Sequence, residues 1–145
     1  MLALEPRPAK LRRPSIQPAD DTDAPAIRAL LVGRYPYLAD CDWTKVAGWW
    51  LVAVLDDRIV GTVQLAGSLP IGRLEYLTID EHLPKRDQAK VAHKLMWSAC
   101  GTLQRMGCSM VQGIVGFDVE GWAETLTRRG GVVVVSGRMV ARRLR

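Results

Sequence analysis

Three strand signatures in close succession, followed at once by one long amphipathic helix, limit this chain to a sheet with a helical crossover. Trp49–Leu55 is an apolar, β-branched run and reads as a strand. Asp56-Asp57 reads as a turn, and Arg58–Leu65 as the hairpin partner. Gly67–Gly72 is a second turn region, and Leu74–Ile79 a third strand. A helix is then predicted from about Gln88 to Arg105. Val91, Ala92, Leu95, Met96, Ala99, Cys100, Leu103 and Met106 keep its 3.6-residue period. Gly107 is placed to cap it, and Cys108–Val115 reads as the strand beyond.

The flanking segments complete the order. Ser15–Pro18 is a short extended start. Asp23 is placed as an N-cap with Pro25 in the first turn, and the apolar spacing predicts a helix to about Arg34, ended by Tyr35-Pro36. Asp42–Gly48 reads as a short second helix or a loop. Toward the C-terminus, Val119–Arg129 reads as a helix stopped by Gly130-Gly131. Val132–Val135 and Arg138–Leu144 then read as a last hairpin. An antiparallel meander followed by a β-α-β crossover makes an α/β (α+β) fold: a mixed, mostly antiparallel central sheet with helices on both faces. One domain over residues 15–145 is expected, preceded by a basic, proline-rich extension over residues 1–14.

Composition narrows the class. The 145 residues fit one domain, and 48% hydrophobic content is too high for a disordered chain. No apolar run reaches the roughly 18 residues needed to span a bilayer, and Met1–Pro14 has no apolar core of a secretory leader. Cys41, Cys100 and Cys108 form neither a disulfide framework nor a zinc signature. Free, buried thiols in a reducing, cytoplasmic setting, or in a particle assembled inside the cell, are the expectation. The net charge of +5 is unevenly spread: residues 1–14 carry four basic side chains against Glu5, and residues 128–145 carry six arginines and no acid. These ends read as solvated extensions or as a means of docking onto a protein partner. They lack interleaved aromatics and any nucleic-acid motif.

At this level the chain resembles the GNAT family of N-acetyltransferases. The resemblance covers about Ser15 to Leu144 and rests on element order and three phrases. These are the hairpin Leu55-Asp56-Asp57-Arg58-Ile59-Val60-Gly61-Thr62, the strand Leu74-Glu75-Tyr76-Leu77-Thr78-Ile79-Asp80, and the long helix with its following strand. The resemblance implies that acetyl-CoA lies where the fourth and fifth strands part, its arm held by backbone groups near Leu77, Thr78 and Ile79. It also implies a pyrophosphate site at the start of the next helix, at Arg86, Gln88, Ala89, Lys90, Val91 and Ala92, where free amides and the helix dipole favour an anion. Glu75 stands where related enzymes often carry a glutamate that takes the proton of the substrate ammonium. Strict alternation would put Glu75, Leu77 and Ile79 on one face, with Leu74, Tyr76 and Thr78 on the other. Asp80 is an alternative carboxylate, equally suited to a cap or turn.

Two features depart from the family pattern. The family's Q/R-x-x-G-x-G/A phosphate loop has no counterpart with a glycine in Arg86-Asp87-Gln88-Ala89-Lys90-Val91-Ala92, so Lys85, Arg86 and Lys90 would hold phosphates by charge or would merely be solvated. The tyrosine that family members place in the last helix is replaced here by Leu126 or Thr127. The nearest phenols by sequence, Tyr35, Tyr37 and Tyr76, lie in other elements. His93 reads as a surface residue, His82 as a loop residue near the cleft, and Met96, Met106 and Met110 as core. Trp43, Trp49 and Trp50 read as packing, or as an aromatic wall or interface beside the acceptor entrance that the resemblance implies.

Two functions follow. The first is an acetyl-CoA-dependent N-acyltransferase acting on a primary amine of a small molecule or protein. The second is an inactive protein of the same fold serving as a binding or structural subunit of a larger assembly such as a virion. Either is compatible with an oligomer.

Overall fold

In the computed structural model, residues 13–113 are described. Contacts divide the chain into two units, residues 1–114 and 115–145, and every element described below belongs to the first. The basic extension, the predicted Val119–Arg129 helix, the last hairpin and the positions Leu126 and Thr127 lie outside the described residues, apart from Arg13 and Pro14 of the extension.

Five strands form one sheet in the order β1 (Ser15–Pro18), β2 (Trp50–Leu55), β3 (Arg58–Ser68), β4 (Ile71–Ile79) and β5 (Met110–Gly113). The first three pairings are antiparallel and β4 pairs β5 in parallel, so the sheet is mixed and mostly antiparallel, as the element order predicts. Helix α1 (Ala24–Arg34) and helix α2 (Lys85–Arg105) cover opposite faces. Leu51, Ala53, Val63 and Leu65 pack with Val91, Leu95, Ala99 and Leu103 of α2. Trp50 and Val52, the alternate residues of β2, pack with Ala24, Ile27 and Leu31 of α1.

Local chemistry explains the boundaries. Asp56 and Asp57 both take positive φ (51° and 60°), the mirror-image turn whose twist matches a two-residue hairpin. Asp20 caps the short turn Asp21–Asp23, accepting from Thr22 N at 2.8 Å, while Asp23 accepts from Asp20 N at 3.0 Å. Asp23 is the N-cap residue of α1, yet its side chain makes no cap bond to that helix. Gly107 (φ 103°) ends α2: its N–H bonds Gln104 O at 3.0 Å and Cys108 N–H bonds Leu103 O at 3.0 Å, closing the last carbonyls. Gly61 lets α2 approach β3. A Cβ there would lie 2.8 Å from Val91 Cγ1 and 3.0 Å from Leu95 Cδ1.

Several expectations need correction. β3 and β4 extend to Ser68 and Ile71, absorbing most of the predicted Gly67–Gly72 turn, because ladder pairing continues through Gly67↔Gly72. Of the two readings of Asp42–Gly48, the loop holds and the helix does not; a 3₁₀ turn forms earlier, at Pro36–Asp40. Helix α2 starts at Lys85, three residues before the predicted Gln88, directly after Pro84 at its N-cap. The thiols are not buried, since Cys41 is exposed and Cys100 and Cys108 are half-buried. Met106 and Met110 are exposed (63% and 61%), because one follows the last helical turn and the other opens β5.

Candidate active site

β4 is not a regular strand. Gln64 pairs with Glu75, but Thr62 pairs with Thr78, so Val63 stands opposite two residues, Tyr76 and Leu77. This is a β-bulge, and Tyr76 takes a left-handed φ of 56° to make it. Thr78 is buried, and its hydroxyl donates to the Tyr76 carbonyl at 3.0 Å, holding the kink. The extra residue changes the phase of every side chain beyond it. Leu74, Leu77 and Ile79 pack with the α2 core, whereas Tyr76 packs with the α1 cluster. Glu75 shares a face with Gln64, Thr62 and Val52 by register. The expected grouping of Glu75 with Leu77 and Ile79 is therefore wrong: Glu75, Tyr76 and Thr78 occupy the α1 side.

The sequence carries a mark of this irregularity. Leu74, Leu77 and Ile79 are spaced by three and then two, and an odd step in an otherwise period-2 strand signals an inserted residue.

Glu75 is partly exposed and sits 3.5 Å from Arg73 Nε through its Oε1 atom. Beside it lies an aromatic wall. The Tyr35 ring meets Tyr76 edge-on at 5.2 Å and Tyr37 at 6.2 Å, Trp50 lies 6.4 Å from Tyr76, and Trp43 lies 5.7 Å from Trp50. The Tyr37 and Tyr76 phenol oxygens are 3.5 Å apart, a long hydrogen bond in which either hydroxyl can donate. The three phenols scattered through the sequence thus converge on the residue next to Glu75. The segment carrying the wall is tied down. Trp43 Nε1 donates to Leu38 O at 2.9 Å, Val46 N and Ala47 N donate to Asp21 Oδ1 at 2.8 and 2.9 Å, and Arg28 donates to Ala39 O at 3.3 Å. Those two amides hold the Asp21 carboxyl below its ordinary value, and the Thr44 hydroxyl and amide do the same for Asp42.

The hydrogen bond with Tyr37, then burial, pushes the Tyr76 hydroxyl well above the ordinary phenol value near 10. The folded state therefore favours neutral Tyr76. Its contribution to stability is present below about pH 10 and is lost as the pH rises beyond it. In an alkaline absorbance titration, one of the three tyrosines is expected to ionise late, and Tyr37→Phe should bring it forward. An unchanged lag in that variant would refute the Tyr37 contact as the main cause.

At the other end of β4, the pairing with β5 runs from Ile71↔Met110 to Leu74↔Gly113. Leu77, Thr78 and Ile79 lie beyond the last described pair, and residues after Gly113 lie outside the described residues. The start of α2 is less of a cradle than expected. Asp87 N and Gln88 N both bond Pro84 O (2.8 and 3.0 Å), and from Ala89 onward the amides fall within the regular i−4 ladder. Val91 and Ala92 are buried in the core. The Gln88 side chain donates to Leu83 O (2.7 Å) and Glu81 O (3.1 Å) of its own loop. Lys85 and Arg86 are exposed, with Lys90 half-buried one turn on, while Asp87 places a negative charge in the first turn. Asp80 is committed to its turn, pairing Arg58 at 3.4 Å and accepting from His82 N at 2.9 Å. His93 is exposed and accepts from Trp97 Nε1 at 2.8 Å.

Among the described residues no cluster of metal-ligating side chains occurs and no helix is long and apolar enough to cross a membrane. Two open hollows among the described residues, about 450 Å³ between β1 and α2 and about 510 Å³ at the β3–β4 hairpin, are lined by neither Glu75 nor the tyrosines.

No protein-family model matches the chain, and no curated protein sequence does. Solved structures do. An aminoglycoside N-acetyltransferase, AAC(6')-Iy, in complex with CoA aligns over 97% of this chain and 99% of its own with a TM-score of 0.66 at 18% identity. The chain has the GNAT fold. A ribosomal-protein-alanine N-acetyltransferase from Brucella melitensis biovar Abortus 2308 has a TM-score of 0.66 at 15% identity, over 90% of this chain and 100% of its own. A transcriptional regulator from Bacillus halodurans C-125 has a TM-score of 0.67 at 12% identity, over 90% and 100%. In this GNAT-fold chain the bulge in β4 is the feature that brings a carboxylate and the aromatic wall to one face.

Proposed function

We propose that the protein is an acetyl-CoA-dependent N-acetyltransferase acting on a primary amine. The observation that carries this reading is the bulge in β4. It brings Tyr76 onto the face that Glu75 occupies by its pairing with Gln64, and takes the Tyr76–Leu77 backbone out of the regular β3 ladder, where its amides can serve another partner. Structural neighbours that are acetyltransferases, one of them in complex with CoA, support the choice of acyl donor.

Bound acetyl-CoA would supply an activated thioester carbonyl. Backbone groups of Leu77, Thr78 and Ile79 would bind its arm and face the developing oxyanion. Glu75 would accept the proton of the ammonium, freeing the amine to attack the carbonyl carbon; the new C–N bond would form as the C–S bond breaks, and the second proton that the nitrogen sheds on becoming an amide would pass through water to the departing thiolate. The anionic end would be held mainly by Lys85, Arg86 and Lys90 as side-chain charges. Two free helix amides, at Lys85 and Arg86, would assist, in place of the glycine cradle the sequence lacks.

Isothermal titration with acetyl-CoA tests the reading. Binding in the micromolar range is expected, with Lys85→Ala/Arg86→Ala weakening it about tenfold. No heat at millimolar acetyl-CoA would overturn the transferase and leave an inactive, architectural use of the fold.

A further inference from the structure

We propose that the wall formed by Tyr35, Tyr37 and Tyr76, backed by the buried Trp50, together with the Glu75 carboxylate, selects a monoammonium acceptor carried on an apolar, aromatic body, with Tyr37 as the specificity-determining residue. The inference rests on the transferase reading for its chemistry, but not for the binding it asserts.

Four observations carry it. First, the three tyrosine rings meet edge-on rather than stacked flat, at 5.2 and 6.2 Å, and all three keep exposed surface, half-buried in Tyr35 and Tyr76 and larger in Tyr37, on which a further aromatic group can pack. Tyr37 is the exposed member (42%), and its hydroxyl reaches the Tyr76 hydroxyl at the rim. Second, the wall already accepts a cation within the chain: the Arg34 guanidinium lies 5.7 Å from the centre of the Tyr35 ring. Third, Glu75 is on this face by its pairing with Gln64, and the bulge brings Tyr76 onto the same face, placing a carboxylate next to the rings.

Fourth, the charges around the wall do not suit a polycation. Asp21 and Asp42 commit their carboxylates to the loop, to Val46 and Ala47 and to Thr44 respectively. Lys45 acts on both Asp21 and Asp42, and Arg73 pairs with Glu75. A polyamine or amino sugar would need several acids clear of local hydrogen bonds. A single ammonium needs one carboxylate and a ring.

The test titrates the full-length protein separately with phenethylamine, ethanolamine and spermidine, by calorimetry and by the indole N–H signals of Trp43 and Trp50. Phenethylamine is expected to bind about tenfold or more tightly than either polar amine. Tyr37→Phe should keep the preference and Tyr37→Ala should abolish it. Tyr37 is exposed, so both variants should fold, as the indole spectrum itself will report. Equal or tighter binding of spermidine or ethanolamine, no saturable phenethylamine binding, or a preference that survives Tyr37→Ala would overturn the assignment. Acetyl-CoA titrated into the same samples separates the two readings. An amine preference without acetyl-CoA binding upholds the wall and overturns the transferase; the reverse result overturns the wall alone.

Discussion

Glu75→Gln is expected to lower the rate of amine acetylation by about 10²–10⁴-fold while leaving acetyl-CoA affinity within about twofold. The amide keeps the size and polarity of the side chain but cannot accept the ammonium proton at neutral pH. Among the described residues the ion pair lost is the one with Arg73, which is partly exposed and 3.5 Å long, so folding stability should change by no more than about 1 kcal/mol. Steady-state kinetics beside calorimetric titration measure both quantities. Unchanged turnover would remove Glu75 from the mechanism, and a matching loss of acetyl-CoA affinity would make it a binding residue instead.

Leu95→Ala should destabilise the fold by about 2–5 kcal/mol. Leu95 has no exposed surface and lies in the middle of α2, where Gly61 of β3 lets the helix settle close to the sheet. Truncation there leaves a cavity that the strand cannot collapse to fill, because its own backbone already bounds it. Trp97, two residues on and 47% exposed, is the control: its replacement by alanine should cost much less. Urea unfolding with an unchanged m-value would report the difference. Equal costs for the two substitutions would show that the buried face of α2 has been wrongly assigned.

Much of the described architecture was legible from local pattern. The 3.6-residue stripe named the buried side of α2 because helical geometry makes burial periodic whatever the helix packs on; Val91, Ala92, Leu95, Ala99 and Leu103 are all buried. The Asp56-Asp57 turn was legible because two adjacent acids between apolar runs tolerate positive φ. The start of α2 was less so: nothing local distinguishes Lys85-Arg86-Asp87 as helix from the same residues as a loop, and the Pro84 N-cap settles it.

The candidate site divides in the same way. Glu75 could be picked out as a carboxylate on a strand, but the residues that share its face could not, because one inserted residue at Tyr76–Leu77 reverses the alternation beyond it. The meeting of Tyr37 with Tyr76 spans 39 positions and depends on how α1 and the following segment lie across β4. The chain by itself determined which residues are apolar, which can turn and which can carry charge, since these are properties of each side chain and its near neighbours. Only the tertiary structure decided which of them share a face, because that is set by ladder register and helix packing, to which residues distant in sequence contribute jointly.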